Sequence, residues 1–391
     1  MNKRVFLYVQ HLLGIGHLRR AAVLARTLAA DGFDVLLVSG GAPVSRDVGL
    51  DIGLDIGGAR WHQLPPVRAR DEGLRELSRL DGTPLDEAFR VERTRELLGL
   101  LAAEAPQVVI TEQFPFGRTQ LRFELVPLIA AARAMRPRPL IVASVRDVVR
   151  RSVSPERVAE TVETFSAFDA ALIHADPGLV SFDRSFAGWG QVKSRAIYTG
   201  YVVEADLAHD AGPDTGKNEV IVSVGGGAVG APLLRAAIAA RSKTPLADRT
   251  WRLLVGANLP AAAQAGLAGR SDGIVIEPAR ADFTTLLRNA TLSISQAGYN
   301  TVVETLCCAD RAVLVPFGTA RETEQTDRAL ALADRGLVGV VPSAALSPDS
   351  LAAAVTRTLA GPSLRSFAPC DVRGAAATVD WLRQRLGERL A

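Results

Sequence analysis

Val5-Phe6-Leu7-Tyr8-Val9-Gln10-His11-Leu12-Leu13-Gly14-Ile15-Gly16-His17-Leu18-Arg19-Arg20 is the stretch that decides how the rest of this chain is read. It opens with an unbroken apolar run carrying valine at both ends, which fits a strand buried on both faces. Two glycines spaced by one residue follow, and they let the backbone turn sharply and approach a ligand closely. Beyond them Ala21, Leu24, Ala25 and Leu28 fall at i, i+3, i+4 and i+7, the spacing of one helix face. Strand, glycine turn and helix in that order begin a βαβ unit. The same order returns at Val220-Ile221-Val222-Ser223-Val224, then Gly225-Gly226-Gly227-Ala228-Val229-Gly230, then a helical pattern over 231–242.

Working outward, apolar strands are expected at 4–9, 34–38, 108–111, 140–144 and 170–174, with helices at 18–30, 85–104, 120–135 and 155–168. Residues 204–218 are polar, contain glycine and proline and lack periodicity, so they read as a linker. Strands then resume at 219–224, 252–255, 273–276, 292–295, 312–315 and 338–341. Helices are expected at 231–242, 283–289, 301–307, 322–335 and 348–359, and a last one at about 372–390. The fold class is α/β, with two Rossmann-like domains of parallel strands facing across a cleft. Expected boundaries are 1–203, 204–371 and a closing helix, 372–391, that packs back on the first domain.

Composition agrees and narrows the function. The chain has 391 residues, of which 48% are hydrophobic and 22% charged, so it is globular and long enough for two domains. No apolar run is long enough to span a membrane. Cys307, Cys308 and Cys370 are an odd set with two adjacent, which argues against a disulfide framework and leaves the cytoplasm as the default location. The net charge is +3, with the excess confined to residues 1–203, and neither half carries the basic surplus of a nucleic-acid binder.

Four loops could carry chemistry. The first is Gly14-Ile15-Gly16-His17. A helix start offers free N–H groups to an anion, and a histidine there can serve as a general base. The alternative is a tight turn whose imidazole only packs or caps. The second is the loop at 225–230. It fits G-x-G-x-x-G literally, but the next strand, Trp251-Arg252-Leu253-Leu254-Val255, ends without the acid that a dinucleotide site needs. A phosphate cradle or a plain turn remains.

The third loop is Ser295-Gln296-Ala297-Gly298-Tyr299-Asn300-Thr301-Val302-Val303-Glu304, where Asn300 or Thr301 could cap a helix. Glu304 sits near that helix start, where a carboxylate can accept two hydrogen bonds from a ribose diol; the alternative is a helix that simply opens with an acid, which its dipole favours. The fourth is Val315-Pro316-Phe317 with Glu324 and Gln325 at the next helix start, polar neighbours suited to hydroxyl recognition, although a charged first turn is also ordinary in a helix. Missing are a Walker A lysine, a D-x-D metal motif, any zinc spacing among the five histidines, and a G-x-S-x-G elbow. No metal and no cofactor are expected.

Together the four loops resemble the GT-B glycosyltransferases, most closely the MurG-like, family 28-like group, and more narrowly a bacterial group described as predicted glycosyltransferases. The resemblance implies a donor half at 204–371 and an acceptor half at 1–203. It implies that Glu304 holds the ribose diol, that Gly225, Gly226, Gly227 and the turn at Gly298, Asn300 and Thr301 lie against the diphosphate, and that Ile276 offers backbone to the base. Gln296 belongs to the same donor loop. Glu324 and Gln325 would read sugar hydroxyls. Gly14 and Gly16 would lie near the acceptor and diphosphate. The implied activity is inverting, metal-independent transfer of a sugar from a nucleotide sugar, expected to be a UDP-sugar, to a hydroxyl acceptor, either lipid-linked or a secondary metabolite. His17 would be the base, helped by Glu112 or Asp147.

Two departures matter. The MurG loop reads Gly-Gly-Thr-Gly-Gly-His, richer in glycine than Leu12-Leu13-Gly14-Ile15-Gly16-His17. MurG has two glutamines where this chain has Glu324-Gln325, and an acid there suits a neutral hexose hydroxyl. The Gly-x-Gly-His-Leu-Arg stretch also resembles UDP-sugar hydrolases of nonulosonic acid synthesis, in which the histidine activates water. A binding protein without catalysis is a third reading. Phe114-Pro115-Phe116-Gly117-Arg118 is expected to line the acceptor side. Arginines 133, 136, 138, 146, 150 and 151 form a basic stretch that would suit a lipid-linked phosphate acceptor at an anionic membrane; the alternative is a solvated arginine-rich face.

Overall fold

The computed structural model describes residues 3–12, 14–44, 54–70, 76–151, 154–204, 207, 214–225, 230–256, 259, 272–319 and 322–388. The chain divides into two units. One is Met1–Glu204 with Asp371–Ala391, and the other is Ala205–Cys370. Most of the 204–218 stretch read as a linker lies outside the described residues.

The N-terminal unit is built on β1 (Lys3–Val9), α1 (Gly16–Ala30), β2 (Phe33–Ser39), β3 (Arg60–Gln63), the short pair β4 (Arg68–Ala69) and β5 (Leu77–Ser78), α2 (Glu87–Glu104) and β6 (Val108–Glu112). It continues with α3 (Arg122–Ala134), β7 (Leu140–Arg146), α4 (Pro155–Phe165), β8 (Ala170–His174), α5 (Trp189–Val192) and β9 (Ala196–Tyr198). Its main sheet is wholly parallel, in the order β3-β2-β1-β6-β7-β8-β9. Leu7 lies opposite Leu37 on one side and Ile110 on the other, so β1 is central and its apolar run is fully covered.

Helix α1 buries the stripe expected of it, with Ala21, Leu24, Ala25 and Leu28 at 1% exposure or less. Against it packs the last helix, α11 (Gly374–Glu388), through Val379, Leu382 and Leu386, and Arg383 reaches Asp31 at 2.6 Å. A buried polar knot ties α2 and α3 to β1. Arg93 on α2 donates to Glu124 on α3 at 2.5 Å and to Gln10 at 3.0 Å, and Tyr8 donates to the same glutamate. All four side chains are fully buried. Breaking one partner of such a pair costs about 3–5 kcal/mol.

The C-terminal unit runs β10 (Val220–Ser223), α6 (Ala231–Ala240), β11 (Trp251–Val255), β12 (Ile274–Pro278), α7 (Phe283–Asn289) and β13 (Leu292–Ser295). Then come α8 (Tyr299–Cys308), β14 (Ala312–Leu314), α9 (Glu324–Ala333), β15 (Gly339–Val340) and α10 (Pro348–Ala360). The sheet is again parallel, in the order β12-β11-β10-β13-β14-β15. Its core sets Val220, Val222, Leu253, Ile294 and Val313 against Leu234, Ala237, Leu351 and Val355 of α6 and α10.

The strands absent from the sequence reading are β3, β9 and the β4–β5 pair, with only one residue among them below 9% exposure apart from Ser78. Edge strands carry weak apolar signals because one side faces solvent.

Candidate active site

In a parallel sheet, ligands bind beyond the carboxyl ends of the strands where the strand order reverses. In the N-terminal unit that point lies between β1 and β6, since the chain builds β2 and β3 on one side of β1 and β6 on the other. His17 is the second residue of α1. The residue before that helix, Ile15, provides no side-chain cap, and no acid occupies the first turn, so the positive helix end is not neutralised locally. A Cβ built on Gly14 would meet no atom within 4 Å, so this glycine leaves open surface and relieves no clash.

His17 Nδ1 lies 2.9 Å from both carboxylate oxygens of Glu112, the last residue of β6. The Glu112 side chain is fully buried, while 13% of the His17 side chain is exposed. Arg20, one helical turn along α1 and buried, donates to Glu112 Oε1 and supplies its counter-charge. Burial holds the imidazole well below its ordinary pKa, and the cations of Arg146, Arg118 and Arg20 and the nearby His11 add to this. Glu112 pulls the other way, but Arg20 on the same oxygen offsets it. A neutral ring with its Nδ1 proton on the carboxylate leaves the lone pair at Nε2.

Asp147 is placed differently. It is fully buried just beyond β7 and accepts from the Val148 backbone N–H at 2.8 Å. Glu112 pairs in register with Ser144, three residues short of Asp147. Ser144 Oγ in turn bonds His174 Nε2 at 2.9 Å, and His174 Nδ1 meets Thr199 Oγ1 at 2.8 Å, so a buried polar row crosses the ends of β7, β8 and β9. Burial and, secondarily, Arg20 hold His174 well below its usual pKa.

One sequence expectation about the acceptor side needs correction. Phe114 and Phe116 do not line a site: they are 0% and 7% exposed. Phe116 packs 5.2 Å from Phe165, 5.5 Å from Phe182 and 5.1 Å from Phe186, so these rings form core under α4. The basic stretch is also divided. Arg133 bonds the Ala167 carbonyl, Arg136 bonds carbonyls of its own turn, and Arg138 pairs with Asp169, all before β7 begins. Arg146, Arg150 and Arg151 lie at or beyond its other end, roughly 20 Å away along a strand of this length.

In the C-terminal unit the order reverses at β10, between β11 and β13. Gly225 follows β10 at φ +61, a conformation that favours glycine, and a Cβ there would sit 3.7 Å from Thr301 Oγ1. The end of β10 and the first turn of α8 therefore adjoin. Gly226 and Gly227 lie outside the described residues. The expected caps Asn300 and Thr301 are instead the second and third residues of α8, which starts at Tyr299 after Gly298 with no side-chain cap. Glycine at that boundary lets the helix start earlier and has no side chain with which to cap it. Glu304 sits in the second turn, half-buried.

Gln296 is 9% exposed, and its N–H reaches the Ser223 carbonyl at 3.2 Å. Gln325 proves to be a brace: its Oε1 accepts from both Ala297 N–H and Phe317 N–H at 3.0 Å. Only its Nε2 is left to address a ligand. Arg328, 1% exposed and one turn further along α9, donates to the Ala297 carbonyl at 2.7 Å. Glu324 is the first residue of α9, again without a side-chain cap before it. Ile276 was expected to be the last residue of its strand. It lies inside β12, paired with Leu253, because the strand runs on to Pro278.

The sequence reading missed Arg20 and Arg328. Both are arginines buried at 1% exposure, where apolar patterning expects no charge. Arg20 lies three residues beyond His17 on one helix face, a spacing that offered a signal.

Residues 221–369 match the glycosyltransferase family 28 C-terminal domain. A curated relative from Rhodospirillum centenum (strain ATCC 51521 / SW), UDP-N-acetylglucosamine--N-acetylmuramyl-(pentapeptide) pyrophosphoryl-undecaprenol N-acetylglucosamine transferase, is 31% identical over 130 residues. That match spans 33% of each protein, so this chain covers about a third of the relative's length. Among solved structures, the calicheamicin glycosyltransferase CalG4 aligns with a TM-score of 0.63 at 16% identity over 99% of both chains. MurG of Acinetobacter baumannii aligns with a TM-score of 0.60 at 18% identity over 98% of this chain and 99% of that one. A UDP-N-acetylglucosamine 2-epimerase from Rickettsia bellii aligns with a TM-score of 0.58 at 13% identity over 99% and 97%. These likenesses establish the GT-B fold.

Proposed function

We propose that this chain, whose residues 221–369 are a glycosyltransferase family 28 C-terminal domain, transfers a sugar from a nucleotide sugar to a hydroxyl acceptor. The observation that carries the chemistry is the His17 ring held through Nδ1 by buried Glu112, with Arg20 behind it. His17 Nε2 takes the proton of the acceptor hydroxyl as that oxygen bonds to the anomeric carbon. The bond from that carbon to the diphosphate oxygen breaks, with inversion, and the nucleoside diphosphate leaves. The carboxylate keeps the ring in the useful tautomer and balances the imidazolium that forms.

The donor belongs to the C-terminal unit in this reading. The uncapped start of α8 and the Gly225 turn beside it suit a diphosphate, since fixed N–H dipoles can take up its charge. Glu304 accepts from the ribose diol, the backbone beyond β12 meets the base, and Glu324 with the Gln325 Nε2 addresses the sugar. UDP is the nucleotide favoured by the family likeness. Of the six arginines of the basic stretch, Arg146, Arg150 and Arg151 stand at the site end of β7, where an anionic acceptor or membrane would meet them. None of the helices, among the described residues, is long and apolar enough to cross a membrane.

Thermal-shift screening against UDP-, GDP-, dTDP- and CDP-sugars identifies the donor, and nucleotide release is then followed with and without candidate acceptors. Release only with acceptor supports transfer, and His17→Ala should abolish it while donor binding persists. Release with water alone would make the chain a hydrolase. Donor binding without any turnover would make it a binding protein.

A further inference from the structure

We infer that Cys307 and Cys370 are a covalent site, an intrachain disulfide that closes on exposure to a low-molecular-weight disulfide. Their sulfurs lie 3.0 Å apart, although 63 positions separate them in sequence. Both residues are half-buried, so a small oxidant has access. Cys308, the neighbour of Cys307 on α8, is 3% exposed. Successive helical residues diverge by about 100°, and of the adjacent thiols it is Cys307 whose sulfur contacts Cys370.

The approach is fixed from both sides. Leu364 N–H bonds the Asp310 carbonyl at 2.7 Å, and Ser363 Oγ bonds Asp310 Oδ1 at 2.5 Å. These bonds dock the segment leading to Cys370 against the turn that follows α8. Cys370 is also the last residue of the C-terminal unit before the chain continues at Asp371. Among the described residues no third histidine, cysteine or carboxylate joins the pair in a metal-holding group. What the geometry offers is a two-thiol reaction.

The reaction is thiol–disulfide exchange. One cysteine thiolate attacks a sulfur of glutathione disulfide, forming a mixed disulfide and expelling one glutathione thiolate. The second cysteine, as thiolate, attacks the protein sulfur of that mixed disulfide and expels the other glutathione. The protein loses two hydrogens and two electrons, and one glutathione disulfide becomes two glutathione thiols. The contact with Cys370 and burial both push the Cys307 thiol above its usual pKa, with Arg288 opposing them. Closure therefore quickens as pH rises. The product staples α8, which carries Glu304 three residues before Cys307, to the end of the unit.

The test uses the full chain in glutathione buffers of graded potential, trapped with iodoacetamide and digested with trypsin without reduction. The expected product joins peptide 289–311 to peptide 366–373 and carries one alkylated cysteine, Cys308. Cys307→Ser and Cys370→Ser should each abolish it, and Cys308→Ser should leave it intact. Alkylation of all three cysteines throughout the series would overturn the inference. So would a product linking Cys307 to Cys308, or two chains to each other.

Discussion

Replacing Glu112 by glutamine tests the candidate base and its support together. Glu112 is fully buried and contacts two groups, the His17 ring at 2.9 Å and the buried Arg20 guanidinium. The amide keeps the shape but has one acceptor oxygen and one donor nitrogen where two acceptors stood. Whichever partner faces the nitrogen meets a donor. The Arg20 charge also loses its counter-ion, and breaking a buried pair in this way costs about 3–5 kcal/mol. That is a large share of the roughly 5–15 kcal/mol that holds a domain folded. The N-terminal unit should therefore melt clearly earlier by calorimetry.

Activity should fall by about 10²–10⁴-fold, the range for loss of an oriented general base. A second substitution separates the two effects. In Arg20→Met with Glu112→Gln no orphaned charge remains, so much of the stability should return while transfer stays low. A single variant as stable and as active as the parent would refute the reasoning. Recovery of full activity in the double variant would refute the role of the carboxylate in positioning His17.

Burial lowers the His11 pKa from 6.5 to about 4, the charge of Arg118 adds to this, and the Ala42 backbone opposes it. An unfolded histidine takes a proton near pH 6.5 and this folded one does not, so stability is complete above pH 6.5 and is lost as pH falls toward 4. The difference is about 3 kcal/mol; urea midpoints at pH 7.5 and 4.5 should show it, and His11→Phe should lose visibly less. Equal losses in both proteins would count against it. For Gln325, leucine removes the acceptor of two backbone N–H groups and should cost about 1–3 kcal/mol per group left buried without a partner. Glutamate keeps an acceptor and the stability, but loses the Nε2 donors, so donor affinity measured by calorimetry should fall in both variants. Gly374→Ala places a Cβ 2.3 Å from the Gly200 carbonyl oxygen and 2.6 Å from that of Tyr201. Both are backbone atoms that cannot swing aside, and a loss of about 1–3 kcal/mol in unfolding experiments is expected; an unchanged midpoint would contradict it.

Much of the fold was legible in advance because parallel strands covered on both faces leave continuous apolar runs that helical spacing does not imitate. Val5, Phe6, Leu7, Tyr8 and Val9 gave β1, and the stripe of Ala21, Leu24, Ala25 and Leu28 gave the buried face of α1. Boundaries at glycines were harder. Gly298 needs no side chain to begin a helix, so α8 starts before the residues that looked like caps. Ile276 was misplaced because β12 is an edge strand, and its polar end at Glu277 and Pro278 gave no apolar signal.

By itself the sequence determined the two alternating α/β halves and the loops where chemistry could sit. These depend on local composition and period, which are written residue by residue. Only the tertiary structure decided which side chains meet. It gave His17 to Glu112 across 95 positions and set Arg20 behind them. It used the Gln325 oxygen as a brace, turned Phe114 and Phe116 into core, and brought Cys307 to Cys370. Such pairings are set by strand order and by how helices pack on the sheet; local spacing signals only that His17 and Arg20 share a helix face.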